Sequence, residues 1–136
     1  MRIKIKPLRA EWADLVKSTL YVNKEDFCKF DDTMLLGTHF YQVTNKEKDL
    51  IAFFGLFYLE KEMVLSFVYV FDEYRKKNVF KQIVRFARLK TPRHSYCSIA
   101  PKRSNNLATF ICCKRFNLSH YDQQRNCFWY IIKKRG

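Results

Sequence analysis

A strand-length run of apolar side chains over residues 63–71 most constrains how this chain folds. Ser66 is the one small polar residue within it. Such a near-continuous run is typical of a strand that is covered on both faces. Two more strand-like runs precede it, at residues 39–43 and 50–59, and the polar breaks between the runs have hairpin length. We therefore expect a sheet with residues 63–71 near its centre and other layers packed against it.

The rest of the chain alternates between strand-like and helical patterns. Apolar residues repeat with period two in strands and at helical spacing in amphipathic helices. We predict helices at 10–20, 23–30 (with Asn23 as N-cap), 78–89 and 106–116, and further strands at 2–8, 94–100, 118–121 and 127–132. The resulting order is β-α-α-β-β-β-α-β-α-β-β. It predicts one α/β (α+β) domain over residues 1–136, a mixed central sheet flanked by helices.

Composition limits the kind of protein. A chain of 136 residues with 48% apolar residues can bury a sufficient core without disulfides or metals. The five cysteines are an odd number and contain no CxxC pair, and the three histidines lack metal-site spacing. The sequence also contains neither a signal-peptide pattern nor an apolar run long enough to cross a bilayer. We expect a cytoplasmic protein with reduced thiols and no metal site.

The charge of the chain is segregated. Residues 1–74 carry 10 Lys and Arg against 12 Asp and Glu, whereas residues 75–136 carry 16 Lys and Arg against a single acid, Asp122. Net charges of −2 and +15 follow for the two parts. A field of one sign attracts polyanions such as nucleotide cofactors, nucleic acids or acidic proteins. A basic surface that serves only solubility is the plain alternative.

The segment from Val70 to Lys81 combines the features of an anion site. A buried strand ends near Phe71, a basic turn follows, and a helix begins near Asn78. The first backbone N–H groups of a helix have no partner within it, and the helix dipole adds partial positive charge at that end. Such a turn suits a pyrophosphate, and the cations around it are Arg75, Lys76, Lys77 and Lys81.

This segment resembles motif A of the GNAT (N-acetyltransferase) superfamily, whose strand leads into a Q/R-x-x-G-x-G/A turn that cradles the pyrophosphate of coenzyme A. Arg75 matches the first position, Asn78 stands at the first Gly, and Phe80 at the second small residue. Asn tolerates a left-handed backbone better than most residues, and we expect the Phe80 ring to point into the core. The resemblance implies a site for acetyl-CoA (or another acyl-CoA). Its cofactor-binding residues would be Val68, Tyr69, Val70, Arg75, Lys76, Lys77, Asn78, Val79, Phe80, Lys81 and Asn106.

A second stretch, beginning at Asn106, is similar to motif B of the same superfamily, N-x-x-A-x-x-x-Y-x-x-x-G-F. Asn106 matches, Thr109 stands at the Ala position, and Asn117 and Leu118 replace Gly and Phe. We expect Asn117 just past a helix end, where a left-handed cap is common. The family's frequent Tyr, which is thought to protonate the departing thiolate, aligns with Cys113.

The implied reaction is acetyl transfer to an amine, and it needs a base and a proton donor. Glu62 and Glu60 lie near the start of the central strand, where related enzymes sometimes carry a base; exposed turn charges are the alternative. Cys113 could donate a proton or could be a small buried residue. Tyr121 or Tyr96 could donate from a neighbouring strand.

Two functions are consistent with these patterns. The first is an acetyl-CoA-dependent N-acetyltransferase whose acceptor is a small amine, a nucleic acid or a nucleic-acid-associated protein. The second is a catalytically inactive GNAT-like fold that serves as a basic nucleic-acid-binding or protein-binding module. The residues of the second function would be Arg85, Arg88, Arg93, Lys102, Arg103, Lys114, Arg115 and Arg125.

Overall fold

The computed structural model describes residues 2–24, 36–75, 77–100, 116–125 and 127–132. Over these residues it contains one seven-stranded sheet and two α-helices. The strands are β1 (Lys4–Pro7), β2 (His39–Thr44), β3 (Leu50–Leu59), β4 (Glu62–Val70), β5 (Tyr96–Ile99), β6 (Phe116–Asp122) and β7 (Cys127–Ile132). The helices are α1 (Ala13–Val22) and α2 (Val79–Lys90), and short 3-10 helices occupy Ala10–Trp12 and Asp72–Tyr74.

The sheet is mixed, as the sequence predicts. Its spatial order is β1-β2-β3-β4-β5-β7-β6, which puts β4 in the middle position. Strands β4 and β5 run parallel, and all other neighbouring strands are antiparallel. A parallel pair needs a crossover connection, and α2 lies in the crossover between β4 and β5. The prediction of a mixed α/β fold with a buried central strand is confirmed.

The main core lies where α2 meets one face of the sheet. The apolar stripe of α2, which includes Ile83 and Ala87, is completely buried against residues of β2 to β5. Phe54 of β3 is also fully buried, with its ring centroid 5.3 Å from that of Tyr41 and 5.7 Å from that of Phe86. This face therefore holds α2 rigidly against the middle of the sheet.

Several predicted boundaries shift, each for a local reason. The first helix begins at Ala13 because residues 10–12 form a 3-10 turn. Strand β5 begins at Tyr96, since His94 adopts a left-handed backbone (φ 70°) and Ser95 N–H closes a turn onto the Pro92 carbonyl. Asn23 is the C-cap of α1, where its side-chain amide donates to the Thr19 carbonyl. Lys24, which follows it, has a 3-10 conformation. The other residues of the predicted helix 23–30, Lys24 apart, lie outside the described residues.

The expected role of Asn117 is wrong. Instead of capping a helix end, Asn117 lies within β6 opposite Ile131, and Leu118 follows opposite Tyr130. Its backbone is not left-handed, because the positive-φ residues in the described part of the chain are Lys48, Phe67, Asn78 and His94. Phe116, the last residue of the predicted helix 106–116, is instead the first residue of β6, and the other residues of that prediction lie outside the described ranges.

Candidate functional site

The pairing between β4 and β5 stops halfway along β4. Residues 62–65 of β4 pair with 96–99 of β5, but β4 continues to Val70 whereas β5 ends at Ile99. The last residues of β4 therefore have backbone groups on the β5 side that β5 does not bond. Two parallel strands that part in this way form a cleft lined by backbone donors and acceptors.

A bulge in β4 lies at this point of divergence. The register with β3 shifts between Phe53 and Gly55, and Phe67 has a positive φ of 51°. Gly55 fits here because a Cβ atom on it would clash with the Thr38 side chain. A bulge increases the local twist and bends the strand, so β4 turns away from β5 where the cleft opens.

The turn after β4 leads into the start of α2. Asn78 has φ 63° and ψ 14°, the left-handed conformation expected for an Asn at a glycine position, and its side chain makes no capping hydrogen bond. Its carbonyl accepts the Gln82 N–H, the first bond of the helix. The amides of Val79, Phe80 and Lys81 thus form the first turn of α2, whose N–H groups have no acceptor within a helix.

The cations of the turn differ in their surroundings. The Arg75 guanidinium donates to the Val70 carbonyl (2.8 Å), pairs with Asp72 (3.0 Å) and lies over the Tyr69 ring. It therefore stabilises the turn from within. Lys77 lies over the Tyr74 ring, and Lys81 is exposed on the first turn of α2.

Other predicted cofactor residues lie along this path. Val68 is buried and Tyr69 and Val70 are half-buried in the last part of β4, while Val79 is buried. The Phe80 ring packs against the main core, in the direction that the sequence predicts. Lys76 and Asn106 lie outside the described residues.

Glu62 meets two hydroxyl groups at the start of the parallel pair. The Ser98 hydroxyl donates to Glu62 Oε1 in a short hydrogen bond, and the Tyr96 hydroxyl donates to Oε2 at 3.4 Å. The Glu62 charge, burial and this hydrogen bond raise the pKa of Tyr96 above its usual value. Tyr96 therefore keeps its proton and holds the carboxylate as an acceptor.

Sequence reasoning did not predict the role of Ser98. This serine is almost completely buried (2% exposed), although it lies in an apolar strand where its hydroxyl needs a partner. Glu62 is that partner. It lies opposite Tyr96 in the parallel β4–β5 pairing, and Ser98 is two residues further along β5. The detectable signal was the pair of hydroxyl residues at alternate positions of one strand, which point to the same face.

The structure does not bring Tyr121 next to Glu62. Tyr121 lies on the edge strand β6, two strands from β5, where its ring contacts Phe128 at 4.9 Å between centroids. Cys113 lies outside the described residues. Of the two tyrosines considered as proton donors, Tyr96 is the one that contacts the candidate base.

Four of the eight residues of the nucleic-acid alternative lie in the described part of the chain. Arg85 and Arg93 are exposed, and Arg88 is half-buried on α2. Arg125 forms a 2.9 Å ion pair with Asp122 in the β6–β7 turn. The remaining four, Lys102, Arg103, Lys114 and Arg115, lie outside the described residues.

The described residues contain neither a metal-binding cluster nor a membrane-spanning helix. No group of three or more His, Cys, Asp and Glu side chains in this part of the chain could hold a metal ion. None of its helices is long and apolar enough to cross a membrane.

No protein-family model matches the sequence, and no curated protein matches it either. Solved structures, in contrast, are similar to this chain. Naa50 of Arabidopsis thaliana, in complex with the bisubstrate analogue CoA-Ac-MVNAL, has a TM-score of 0.74 at 11% identity and covers 98% of this chain and 100% of its own. A GNAT-family acetyltransferase of Staphylococcus aureus Mu50 has a TM-score of 0.73 at 15% identity, covering 96% and 98%.

A third similar structure is the PaiA N-acetyltransferase of Thermoplasma acidophilum in complex with coenzyme A. Its TM-score is 0.69 at 16% identity, over 98% of this chain and 100% of that one. At such identities the likeness concerns the fold. The TM-scores, over nearly the whole of each chain, show that this chain has the fold of the GNAT N-acetyltransferases.

Proposed function

We propose that this protein is an acetyl-CoA-dependent N-acetyltransferase. The observation that carries the proposal is the cleft where β4 parts from β5 and runs directly into the start of α2. Beyond residue 65 the backbone of β4 is not paired with β5, and the chain then passes through the Asp72–Tyr74 turn into the first turn of α2. The similar folds of Naa50 and PaiA, solved with a CoA-based bisubstrate analogue and with coenzyme A respectively, support this ligand class.

The described residues fit such a ligand in two places. The amides of Val68 and Val70, beyond the end of the β5 pairing, would bond the amide groups of the pantetheine arm. The first-turn N–H groups of α2, with Lys77 and Lys81 nearby, would hold the pyrophosphate. Phe80 leaves this space open because its ring packs into the core.

Catalysis would depend on Glu62. Acetyl-CoA, when bound, supplies an acetyl group activated as a thioester. The acceptor amine must lose a proton to become a nucleophile, and the Glu62 carboxylate, which Ser98 and Tyr96 hold by hydrogen bonds, would accept that proton directly or through a water molecule. Tyr96 would keep the carboxylate oriented while its own proton stays in place.

The positive charge of the second half of the chain is the basis for the proposed acceptor. Bound phosphates need only a few cations, and the net charge of +15 over residues 75–136 exceeds that need. We therefore propose an amine on a nucleic acid or on a nucleic-acid-associated protein as the acceptor. Acetylation assays with polyamines, basic peptides and nucleic acids would rank these acceptors.

The first test is calorimetric titration with acetyl-CoA. Asn78→Glu puts a negative charge at the proposed pyrophosphate site, and we expect binding to weaken at least about tenfold, or ~1.4 kcal/mol. Asn78→Gly is the matched control, since glycine accepts the left-handed backbone without strain and should retain binding. Absence of binding by the unaltered protein would refute the transferase and favour the inactive binding module.

The second test concerns the base. Glu62→Gln should lower the turnover number by roughly 10²–10⁴-fold while acetyl-CoA binding stays unchanged. Equal loss of binding and turnover would assign Glu62 a structural role instead.

A further inference from the structure

A second cavity lies on the opposite flank of the sheet from β5. It has a volume of about 670 Å³ and is formed by β1, the Ala10–Trp12 turn, the end of β2 and the turn between β2 and β3. Strands β2 and β3 separate β1 from β4. With about 4.8 Å between neighbouring strands, the cavity is about 15 Å from the cleft at β4, so it is a different site.

The lining of this cavity is strongly cationic. Residues 1–74 are slightly acidic overall, yet six of their ten Lys and Arg residues line this one space. They are Arg2, Lys4, Lys6, Arg9, Lys46 and Lys48. The one acid in the lining is Glu11, which lies 3.5 Å from Arg9 in an exposed ion pair. The other cations therefore give the cavity a net positive field.

The cations of β1 form a row. Lys4 and Lys6 lie on the exposed face of the edge strand, while Ile3 and Ile5 pack against the main core. Alternate residues of a strand are about 6.6 Å apart, and Arg2 precedes Lys4 at the same interval of two residues. Such a linear, evenly spaced row matches a chain of phosphates better than it matches a single anion.

In the turn between β2 and β3, the cations line the cavity and the acids do not. Its sequence alternates cation and acid, but only Lys46 and Lys48 line the cavity. Glu47 and Asp49 are not part of the lining, and the Asp49 carboxylate accepts a hydrogen bond from the Asn45 side chain at 3.4 Å.

Asn45 fixes this arrangement. Its side-chain oxygen accepts the Asp49 N–H at 2.9 Å, and its carbonyl accepts the Lys48 N–H at 3.0 Å. Lys48 adopts a left-handed backbone with φ 68°. The turn is therefore built by its own hydrogen bonds, and the separation of its charges is part of that geometry.

The cavity also contains an aromatic surface. Trp12 lines it and is half-buried, beside Gln42, whose side-chain oxygen accepts the Arg9 N–H at 3.0 Å. A tryptophan ring next to a row of cations is the combination that binds single-stranded nucleic acid, because bases stack on the ring while cations follow the phosphates. An acidic peptide or inorganic phosphate would not need the ring.

We propose that the cavity beside β1 binds a short single-stranded nucleic acid segment, with phosphates along the Lys4–Lys6 row and a base on Trp12. This site does not depend on the transferase proposal. It uses neither the cleft at β4 nor the basic residues after position 75.

The test is fluorescence anisotropy with a short fluorescein-labelled oligothymidylate, at several salt concentrations. We expect the double substitution Lys4→Glu/Lys6→Glu to weaken binding at least about tenfold and to reduce its salt dependence. Lys17→Glu/Lys24→Glu is the matched control, because both residues are exposed, lie outside the cavity and change the net charge equally. Trp12→Leu should weaken binding about tenfold with little change in salt dependence.

Three outcomes would overturn the proposal. Equal losses in the two double variants would mean that overall charge, not the cavity, binds the strand. If ATP binds with the same affinity as the probe, the ligand is a free nucleotide and not a strand. If saturating acetyl-CoA displaces the probe, the probe binds in the cleft at β4 and not in this cavity. Urea denaturation of each variant reports folding, and titration with acetyl-CoA reports the transferase proposal separately.

Discussion

The two flanks of the sheet are stabilised in different ways. On the β3 side, residues 50–56 are all buried, and Phe54 contacts rings from β2 and α2. On the β6 side, residues 117–121 are exposed, and Asp122 holds the β6–β7 hairpin by bonding Arg125 and Trp129. Both sides bury apolar residues, but the β6–β7 hairpin adds a polar network centred on Asp122 that the β3 side does not show among the described residues. The stability of each flank should therefore respond to different changes.

The largest effect should come from Phe54→Ala. Removing a fully buried ring leaves a cavity between the sheet and α2, and we expect a loss of about 3–5 kcal/mol in the free energy of unfolding. Urea denaturation measures this loss. Leu118→Ala, at a site that is 60% exposed on the other flank, should change stability by at most about 0.5 kcal/mol. Similar losses of unfolding free energy at both sites would contradict the difference between the two flanks.

A smaller effect should come from Asp122→Ala. The change leaves the Trp129 indole N–H and the Arg125 guanidinium without this acceptor, and we expect a loss of about 1–3 kcal/mol. Hydrogen exchange should speed up in the β6–β7 hairpin and stay slow in β3. Acceleration of equal size in both flanks would show that the network supports the whole fold.

We expect low pH to remove the contribution of Asp122 to the free energy of unfolding. Burial opposes its charge, but hydrogen bonds from Trp129 and Arg125 outweigh burial, so the pKa lies below the usual 3.8. A lowered pKa adds stability above the unfolded-state value, and that stability disappears as pH falls through the folded-state value. The stability difference between the unaltered protein and Asp122→Ala should therefore be full at pH 7 and shrink below about pH 4. A difference that persists at lower pH would contradict this assignment.

The smallest effect concerns the junction of the two flanks, where β4 meets β5. Glu62→Gln removes the main cause of the raised pKa of Tyr96, so this pKa should move back toward 10.0. Alkaline titration followed by tyrosine absorbance, with Tyr96→Phe to assign the signal, measures the change. Glu60→Gln, which alters an exposed charge near the same turn, should leave it unchanged.

The fold could be predicted largely because its strongest pattern is local. The apolar run of residues 63–71 required cover on both faces, and β4 indeed occupies the centre of the sheet. The left-handed backbone of Asn78 was likewise predicted from residue type at a glycine position. Boundaries were less predictable, because turns such as the one at His94 depend on hydrogen bonds that periodicity does not report.

The candidate site was predicted only in part. Glu62 was singled out by its place near the start of the central strand, but its partners Ser98 and Tyr96 depend on the parallel register of two strands far apart in sequence. The charge sorting between Lys46 and Glu47 was also invisible in the sequence, where the two cations and two acids of the turn cancel. Asn117 was misplaced because one glycine-like position does not reveal whether a helix precedes it.

The parallel pairing of β4 with β5 also has a kinetic consequence. The strands β2, β3 and β4 follow one another through short turns, whereas the hydrogen bond between Glu62 and Ser98 joins residues 36 positions apart. Contacts between distant residues form slowly because a long loop must close first. We expect the antiparallel meander to form early and the carboxylate to gain its hydroxyl partners late. A nascent chain would then expose the β4 edge before Glu62 has its hydroxyl partners, so the geometry on which the proposed base depends would form in the last stage of folding.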